Sequence, residues 1–280
     1  MIELADGGGY ITHLGAVAAA RDLGHFERLE RKRLRIVQYR GTDKLETLNE
    51  DVWNVGYAVG FNALIAHLQR LLPHSEVIRE ALRHTTTVYP EIALREVAAN
   101  TLIHQDFTIT GAGPLIEIYA NRVEFTSPGM LLAGKNVDRL IGATPESRNE
   151  RLAAAFRRYR ICEERGTGFQ KTVTAAELFG LPPIAFRETD NAFKVTLWAP
   201  RSFTAMSTAE RIEACYQHAV LRYLASSAMT NTTLRERLRM GERRRNQVTN
   251  LIADAVNAGR IKRRDVRAGN KFNEYLPYWA

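Results

Sequence analysis

EIALREVAANTLIHQDF, running from Glu91 to Phe107, carries the helical period more clearly than any other part of the chain. Ile92, Leu94, Val97, Ala98, Leu102 and Ile103 share one broad apolar stripe. Pro90 directly ahead suits a helix start. Beside the stripe stand Glu96 and Asn100, one helical turn apart, so their side chains stack on one face. A carboxylate and a carboxamide placed this way can hold a water and a divalent cation together.

Downstream, Gly111 to Pro114 make a turn, and two strands follow at Leu115–Tyr119 and Val123–Phe125. Their alternation predicts a hairpin with one buried face. Ser127-Pro128-Gly129 ends the second strand, and a loop rich in glycine and proline leads to Arg148-Asn149. Helices are expected at Glu150–Tyr159 and Gln170–Phe179, with Gly166-Thr167-Gly168 directly before the second. Backbone amides at a helix N-terminus attract phosphate, and glycine lets the phosphate approach closely. A water-and-metal pair on one helix, a phosphate-attracting turn on another and a loop between them make a nucleotide pocket. Strands at Ile184–Glu188 and Ala192–Trp198 close the unit.

Upstream the chain is less legible. Asp6 to Tyr10 form a glycine loop, Ile11 to Arg21 suit a helix, and Glu27 to Arg33 are a charge run at an exposed turn or helix end. Leu34–Tyr39 predicts a strand, Gly41-Thr42-Asp43 a turn, and Val52–Leu72 a long amphipathic helix.

After a polar linker at Pro200 to Ala209, the tail predicts helices at Arg211–Ser226, Asn231–Leu238 and Glu242–Ala258. A hairpin of Arg260–Val266 and Lys271–Tyr278 follows, turning at Ala268-Gly269-Asn270. That is the order of a winged helix-turn-helix. Arg243, Arg244, Arg245, Asn246, Gln247 and Asn250 lie in the first half of the third helix, the part that enters a major groove. Arginine reads guanine edges and asparagine or glutamine reads adenine edges. Arg263, Arg264 and Arg267 in the wing would meet phosphate or the minor groove. The chain carries a net +8; residues 207–280 hold 14 Lys+Arg against 7 Asp+Glu, or +7, leaving the rest almost neutral at +1. A basic module on a neutral body points to double-stranded DNA as partner.

Composition narrows the class further. An apolar fraction of 45% with 25% charged residues is that of a globular protein, and no apolar run is long enough to span a bilayer. The N-terminus lacks the pattern of a signal peptide. Cys162 and Cys215 do not make a disulfide framework, and a reducing cytoplasm is the expected setting. There is no P-loop, no zinc-site spacing and no sign of a helicase motor.

Tyr89-Pro90, Arg95-Glu96, Asn100, His104 to Phe107, Ser127-Pro128-Gly129, Arg148-Asn149 and Glu163 to Gly168 occur in one order. Through them, residues 77–199 resemble the GHKL-type (Bergerat) ATPase fold of gyrase B, MutL, histidine kinases and heat-shock chaperone ATPases. More closely, they resemble the RecG-like C-terminal ATPase domain of transcriptional regulators. Residues 1–76 are similar to part of the Schlafen-type AlbA domain that precedes this module in longer relatives, implying a truncated or diverged N-terminus.

The resemblance implies an α+β protein of three parts: residues 1–76, a GHKL α/β sandwich at 77–199, and the winged helix at 207–280. It implies ATP and Mg2+ as cofactors. Glu96 would be the general base that orients water, and Asn100 the magnesium ligand. Ser127 and Gly129 would form the floor near the base. Gly166, Thr167 and Gly168 would supply phosphate-binding amides. The segment Leu131 to Asn149, ending in Arg148 and Asn149, would be the lid. His104 and Asp106 either contact phosphate or metal or hold the helix C-terminus. Ser127-Pro128 stands where other GHKL proteins carry the aspartate that binds adenine, and Gln105 and Glu150 replace the subfamily's arginine and proline. The expected function is an ATP-binding, DNA-binding transcription regulator whose lid closure repositions the winged helices, with homodimerisation as one route. Two alternatives are a DNA-associated ATPase and a regulator with a degenerate pocket.

Overall fold

The computed structural model describes residues 2–5, 8–79, 82–163, 166–265 and 273–280. A ribbon of β1 (Ile2–Ala5) and β2 (Gly8–Ile11) leads into α1 (His13–Ala19). Then come β3 (Leu34–Tyr39), β4 (Thr47–Trp53) and α2 (Phe61–Leu71), followed by a hairpin of β5 (His74–Arg79) and β6 (Leu82–Thr87). Next are α3 (Glu91–Ile103), β7 (Leu115–Tyr119), β8 (Arg122–Pro128), α4 (Glu150–Arg158), α5 (Gly168–Phe179), β9 (Ala185–Thr189) and β10 (Ala192–Trp198). The tail holds α6 (Thr208–Leu224), α7 (Asn231–Arg237), α8 (Arg245–Asn257) and a short pair, β11 (Ile261–Arg263) with β12 (Tyr275–Pro277). The protein is α+β, and no described helix is long and apolar enough to cross a membrane.

Six strands form one mixed sheet in the order β4-β3-β7-β8-β10-β9. Only the β3–β7 pairing is parallel; the other pairings in this sheet are antiparallel. Strand alternation assigns the two faces. Ile116, Ile118, Val123, Phe125, Val195 and Leu197 are buried toward the helical layer. Glu117, Tyr119, Arg122, Glu124 and Lys194 occupy the reverse face, where Glu124 pairs with Arg122 at 2.6 Å and with Lys194 at 2.5 Å. On the helical side α3 packs on β8 and against α2 and α5.

This central position changes the expected pattern of α3. Ala93, Ala99 and Thr101 are buried as well as the stripe, while Ile92 is exposed. The helix also ends at Ile103, earlier than Phe107. Its last carbonyls are taken from outside: the Asn149 amide donates to Ile103 and Gln105 oxygens, both at 2.7 Å, and Arg148 Nε donates to His104 O at 3.1 Å. Such external partners satisfy groups that no residue of the helix itself can reach.

The N-terminal part departs most from expectation. The long helix at Val52–Leu72 is a strand followed by a shorter helix, because Thr47–Trp53 pairs along β3 as the sheet's edge. β3 in turn pairs with β7, so the sheet runs across the expected boundary at residues 76/77. The charge run is a 3-10 turn, and Lys32 within it is buried, donating to Ile109 O at 2.7 Å and Ala112 O at 3.2 Å.

Of the tail helices, α6 and α7 dock on the far end of α5, and α6 also meets the loop after β8. Gln217 exchanges hydrogen bonds with the Ile184 backbone, at 2.7 and 3.2 Å. Arg260 bridges Asp138 and Glu213, each at 2.7 Å, and the Tyr216 hydroxyl donates to Asp138 O.

Candidate nucleotide site

α3 and α5 pack together, which brings Glu96 and Asn100 beside the first residue of α5. A Cβ added to Gly168 would lie 2.9 Å from Glu96 Oε2 and 3.5 Å from Asn100 Nδ2. With no side chain at this position, the carboxylate can lie close to the helix end without shifting. Among the described residues no side chain caps the N-terminus of α5, so its first amides and the positive end of its dipole face the same space.

That space is a cavity of about 180 Å³. Glu96, Asn100, His104, Ser127, Gly129, Arg148, Gly166 and Gly168 line it, joining residues 72 positions apart in sequence. Asp106, Asn149 and Thr167 do not line it. The β8–α4 loop forms much of the wall through Met130, Leu132, Lys135, Leu140, Ala143 and Pro145. Lys135 draws that loop together, donating to Thr144 O at 2.8 Å and pairing with Glu146 at 3.2 Å. Gly166 faces it from the other side, near Ala143 O and Pro145. Phe125, Phe169, Phe193 and Val195 give the cavity an apolar end suited to a flat ring.

Burial raises the Glu96 pKa; Lys171 opposes this, Glu163 adds to it and Arg95 opposes it. His104 caps α3 and its pKa is pulled down to about 4, chiefly by burial and then by Arg148 and Lys135. The imidazole is therefore neutral near pH 7. The Asp106 carboxyl is held below the usual range by hydrogen bonds from Thr108, at 2.6 and 2.9 Å, and by Arg148.

Several motif residues hold the frame. Arg148 donates to His104 O, to Asp106 at 3.3 Å and to Met130 O at 2.6 Å. Asn149 closes the end of α3. Asp106 ties down the strand exit beside Gly129, its amide donating to Pro128 O at 2.7 Å. Gly129 has φ +101°, and a Cβ there would come within 2.7 Å of Asp106 Cβ; the strand's exit needs a glycine on both counts. The Ser127 hydroxyl donates to Thr101 O at 3.0 Å. Gln105 is buried, donating to Leu102 O and to Tyr57, both at 3.0 Å, away from the cavity. Lys171 was not singled out by the sequence; its only signal is its place one turn beyond Gly168.

In the tail, Arg243, Arg244, Arg245, Asn246, Gln247 and Asn250 are all exposed. Arg243 and Arg244 lie in a 3-10 turn just before α8 rather than inside it. Arg263 and Arg264 are exposed on and beside β11, and Arg264 pairs with Glu274 at 2.9 Å. Arg267 and the turn at residues 268–270 lie outside the described residues, as do Glu164 and Arg165 of the glycine box and Asp6 and Gly7 of the first loop.

Residues 111–197 match the family described as "Putative ATP-dependent DNA helicase recG C-terminal". The match takes in Ser127, Gly129, Arg148, Asn149 and Gly166 to Gly168, and starts after α3. None of the curated proteins matches the chain. Among solved structures, the DIP2311 protein from Corynebacterium diphtheriae is similar over 98% of this chain, with a TM-score of 0.60 and 18% identity. This chain spans 55% of that protein's length, and at that identity the likeness is one of fold. Residues 111–197 are accordingly similar to an ATPase-type domain.

Proposed function

We propose that this chain is a DNA-binding transcription regulator with a GHKL-type pocket for ATP and Mg2+. The observation that carries the reading is the uncapped start of α5 at Gly168, set against Glu96 and Asn100 in one cavity. The glycine leaves room that a side chain would fill, and the free amides suit a phosphate. No cluster of three metal-ligating side chains exists among the described residues. Magnesium fits this site because it keeps several waters and relies on phosphate oxygens, with Asn100 as its protein ligand. When bound, it would neutralise charge on the phosphates. Glu96 would orient water and accept its proton. The amides of Gly166 to Gly168 would hold phosphate, and the apolar end the base.

The cavity of about 180 Å³ is below the ~300–1,000 Å³ of ordinary ligand sites. Outward movement of the loop at residues 131–149, which forms much of the wall, would enlarge the cavity for a nucleotide. Its first part is tied to the tail through Asp138, so that movement reaches α6 and the hairpin. The tail, read as a winged helix, would present the exposed Arg243 to Gln247, Asn250 and Arg263 to DNA. Coupling requires ATP to bind one arrangement better than the other.

Calorimetric titration with a non-hydrolysable ATP analogue and magnesium tests the pocket. Saturable binding that Asn100→Ala abolishes is expected; no binding at millimolar ligand would end the nucleotide reading. Phosphate release abolished by Glu96→Ala, with DNA affinity indifferent to nucleotide, would instead favour an ATPase that DNA merely localises.

A further inference from the structure

Glu96 and Glu163 share one cation. Lys171 Nζ lies 3.9 Å from Glu96 Oε1 and 3.1 Å from Glu163 Oε2. The three groups come from different pieces of the fold: Glu96 from α3, Lys171 from α5, and Glu163 from the segment leading to the glycine turn. Lys171 follows Gly168 by three residues, so it rises from the face of α5 that the missing side chain opens toward Glu96. The Glu96 side chain is 15% exposed and that of Glu163 54%. In this arrangement the ammonium sits closer to the exposed carboxylate than to the half-buried one.

The half-buried carboxylate is the one with most to gain. Water screens Glu163, whereas Glu96 has lost much of its hydration and Lys171 is the largest influence favouring its charged form. Arg95 acts the same way but is turned to Asn62, donating at 3.0 Å, and lies over the Phe61 ring. Lys171 itself is one-third exposed, so its ion pairs add little to folding stability. A lysine that contributes little to the fold but stands 3.9 Å from the half-buried carboxylate of the cavity has another use.

We propose that Lys171 is a positioning residue for Glu96, holding its carboxylate toward the start of α5, and that Glu163 competes for the same ammonium. Closing of the 3.9 Å gap engages Glu96; retention by Glu163 leaves it slack. The role of Glu96 as base rests on the nucleotide reading above, whereas the link from Lys171 to Glu96 does not.

The experiment is a carboxyl-carbon NMR titration of Glu96 in the full unliganded chain, alongside the pH profile of ATP hydrolysis. Wild type, Lys171→Met, Lys171→Arg and Glu163→Gln are compared. In Lys171→Met the Glu96 titration and the acid limb of kcat both move to higher pH, and kcat falls about tenfold with KM changing less. Lys171→Arg restores both. Glu163→Gln moves both to lower pH, because a repelling charge is gone and Lys171 is released. An unchanged Glu96 titration in Lys171→Met overturns the proposal. Should the wild type fail to hydrolyse ATP, the nucleotide enzyme reading falls, and the NMR titration still decides the link.

Discussion

The two ends of α5 are built in opposite ways. At its C-terminus, Gly180 takes a left-handed turn and Arg239 donates to Leu178 O at 2.9 Å, closing the helix. Glu177 there meets His218 Nδ1 and Arg237 Nε, each at 3.0 Å, and Arg237 also donates to Leu181 O at 2.9 Å. All three side chains are nearly or fully buried, at 13%, 9% and 4% exposure. At the N-terminus no described side chain caps the helix, a glycine leaves a gap, and one partly exposed lysine is divided between two carboxylates. A buried charge held by two partners has one stable position. A charge with a shared partner has two. The helix is thus locked where it meets the tail and left open where it meets the cavity.

The sharpest way to break this comparison is to unlock the closed end. Arg237→Ala leaves the Glu177 carboxylate buried without its cation, and removing one partner of such a pair costs about 3–5 kcal/mol. Urea denaturation should show that loss. Replacing Arg237 by Met together with Glu177→Leu should recover most of it, since no charge is then stranded. A loss near zero for Arg237→Ala would mean that the far end of α5 is no more fixed than the near one.

A smaller effect belongs to the open end. His104 titrates at about 4 in the folded chain, against about 6.5 when unfolded, because burial and then Arg148 and Lys135 disfavour its charge, with Glu146 opposing them. Between these values the unfolded chain binds a proton that the folded chain refuses. Stability is therefore full above about pH 6.5 and is lost as pH falls toward 4, by about 3 kcal/mol for a shift of this size. His104→Asn should flatten that part of the curve of unfolding free energy against pH. An unaltered slope would show that the cavity end tolerates positive charge and that His104 is not confined there.

The ease with which each end could be read from sequence follows the same division. The start of α5 at Gly168 and the placement of Glu96 and Asn100 on one face of α3 were legible because each depends on local geometry: a helix start and a one-turn spacing. Arg148 and Asn149 stood out as a motif, yet their role did not, since the carbonyls they close belong to a helix more than forty residues earlier. Strand β4 escaped notice because TLNEDVW at an exposed sheet edge has no apolar alternation to reveal it. Its pairing with β3 was equally hidden, and with it the continuity of the sheet across residue 76. The Glu177–His218–Arg237 lock joins three helices, α5, α6 and α7, whose charges look like ordinary surface residues of amphipathic helices. Only tertiary packing makes them buried.

Beyond both ends of α5 lies a third kind of charge, neither locked nor shared. Arg243, Arg244, Arg245 and Arg263 are exposed, so each can act on a polyanion only through a field that salt screens. If the tail binds duplex DNA, affinity should fall linearly with the logarithm of salt concentration, and each phosphate contact removed should reduce that slope by roughly one. Arg263→Ala should do so. Arg264→Ala should change the slope less, because Glu274 already balances much of the Arg264 charge at 2.9 Å. Glu274→Gln then becomes the informative partner: it frees Arg264 and should steepen the salt dependence. Fluorescence anisotropy across a salt series reads all three variants. Equal effects of the two arginine substitutions would mean that the ion pair opens on binding and that the hairpin meets the backbone through both. Affinity that ignores salt would remove DNA as the tail's partner and leave the exposed arginines facing a protein surface.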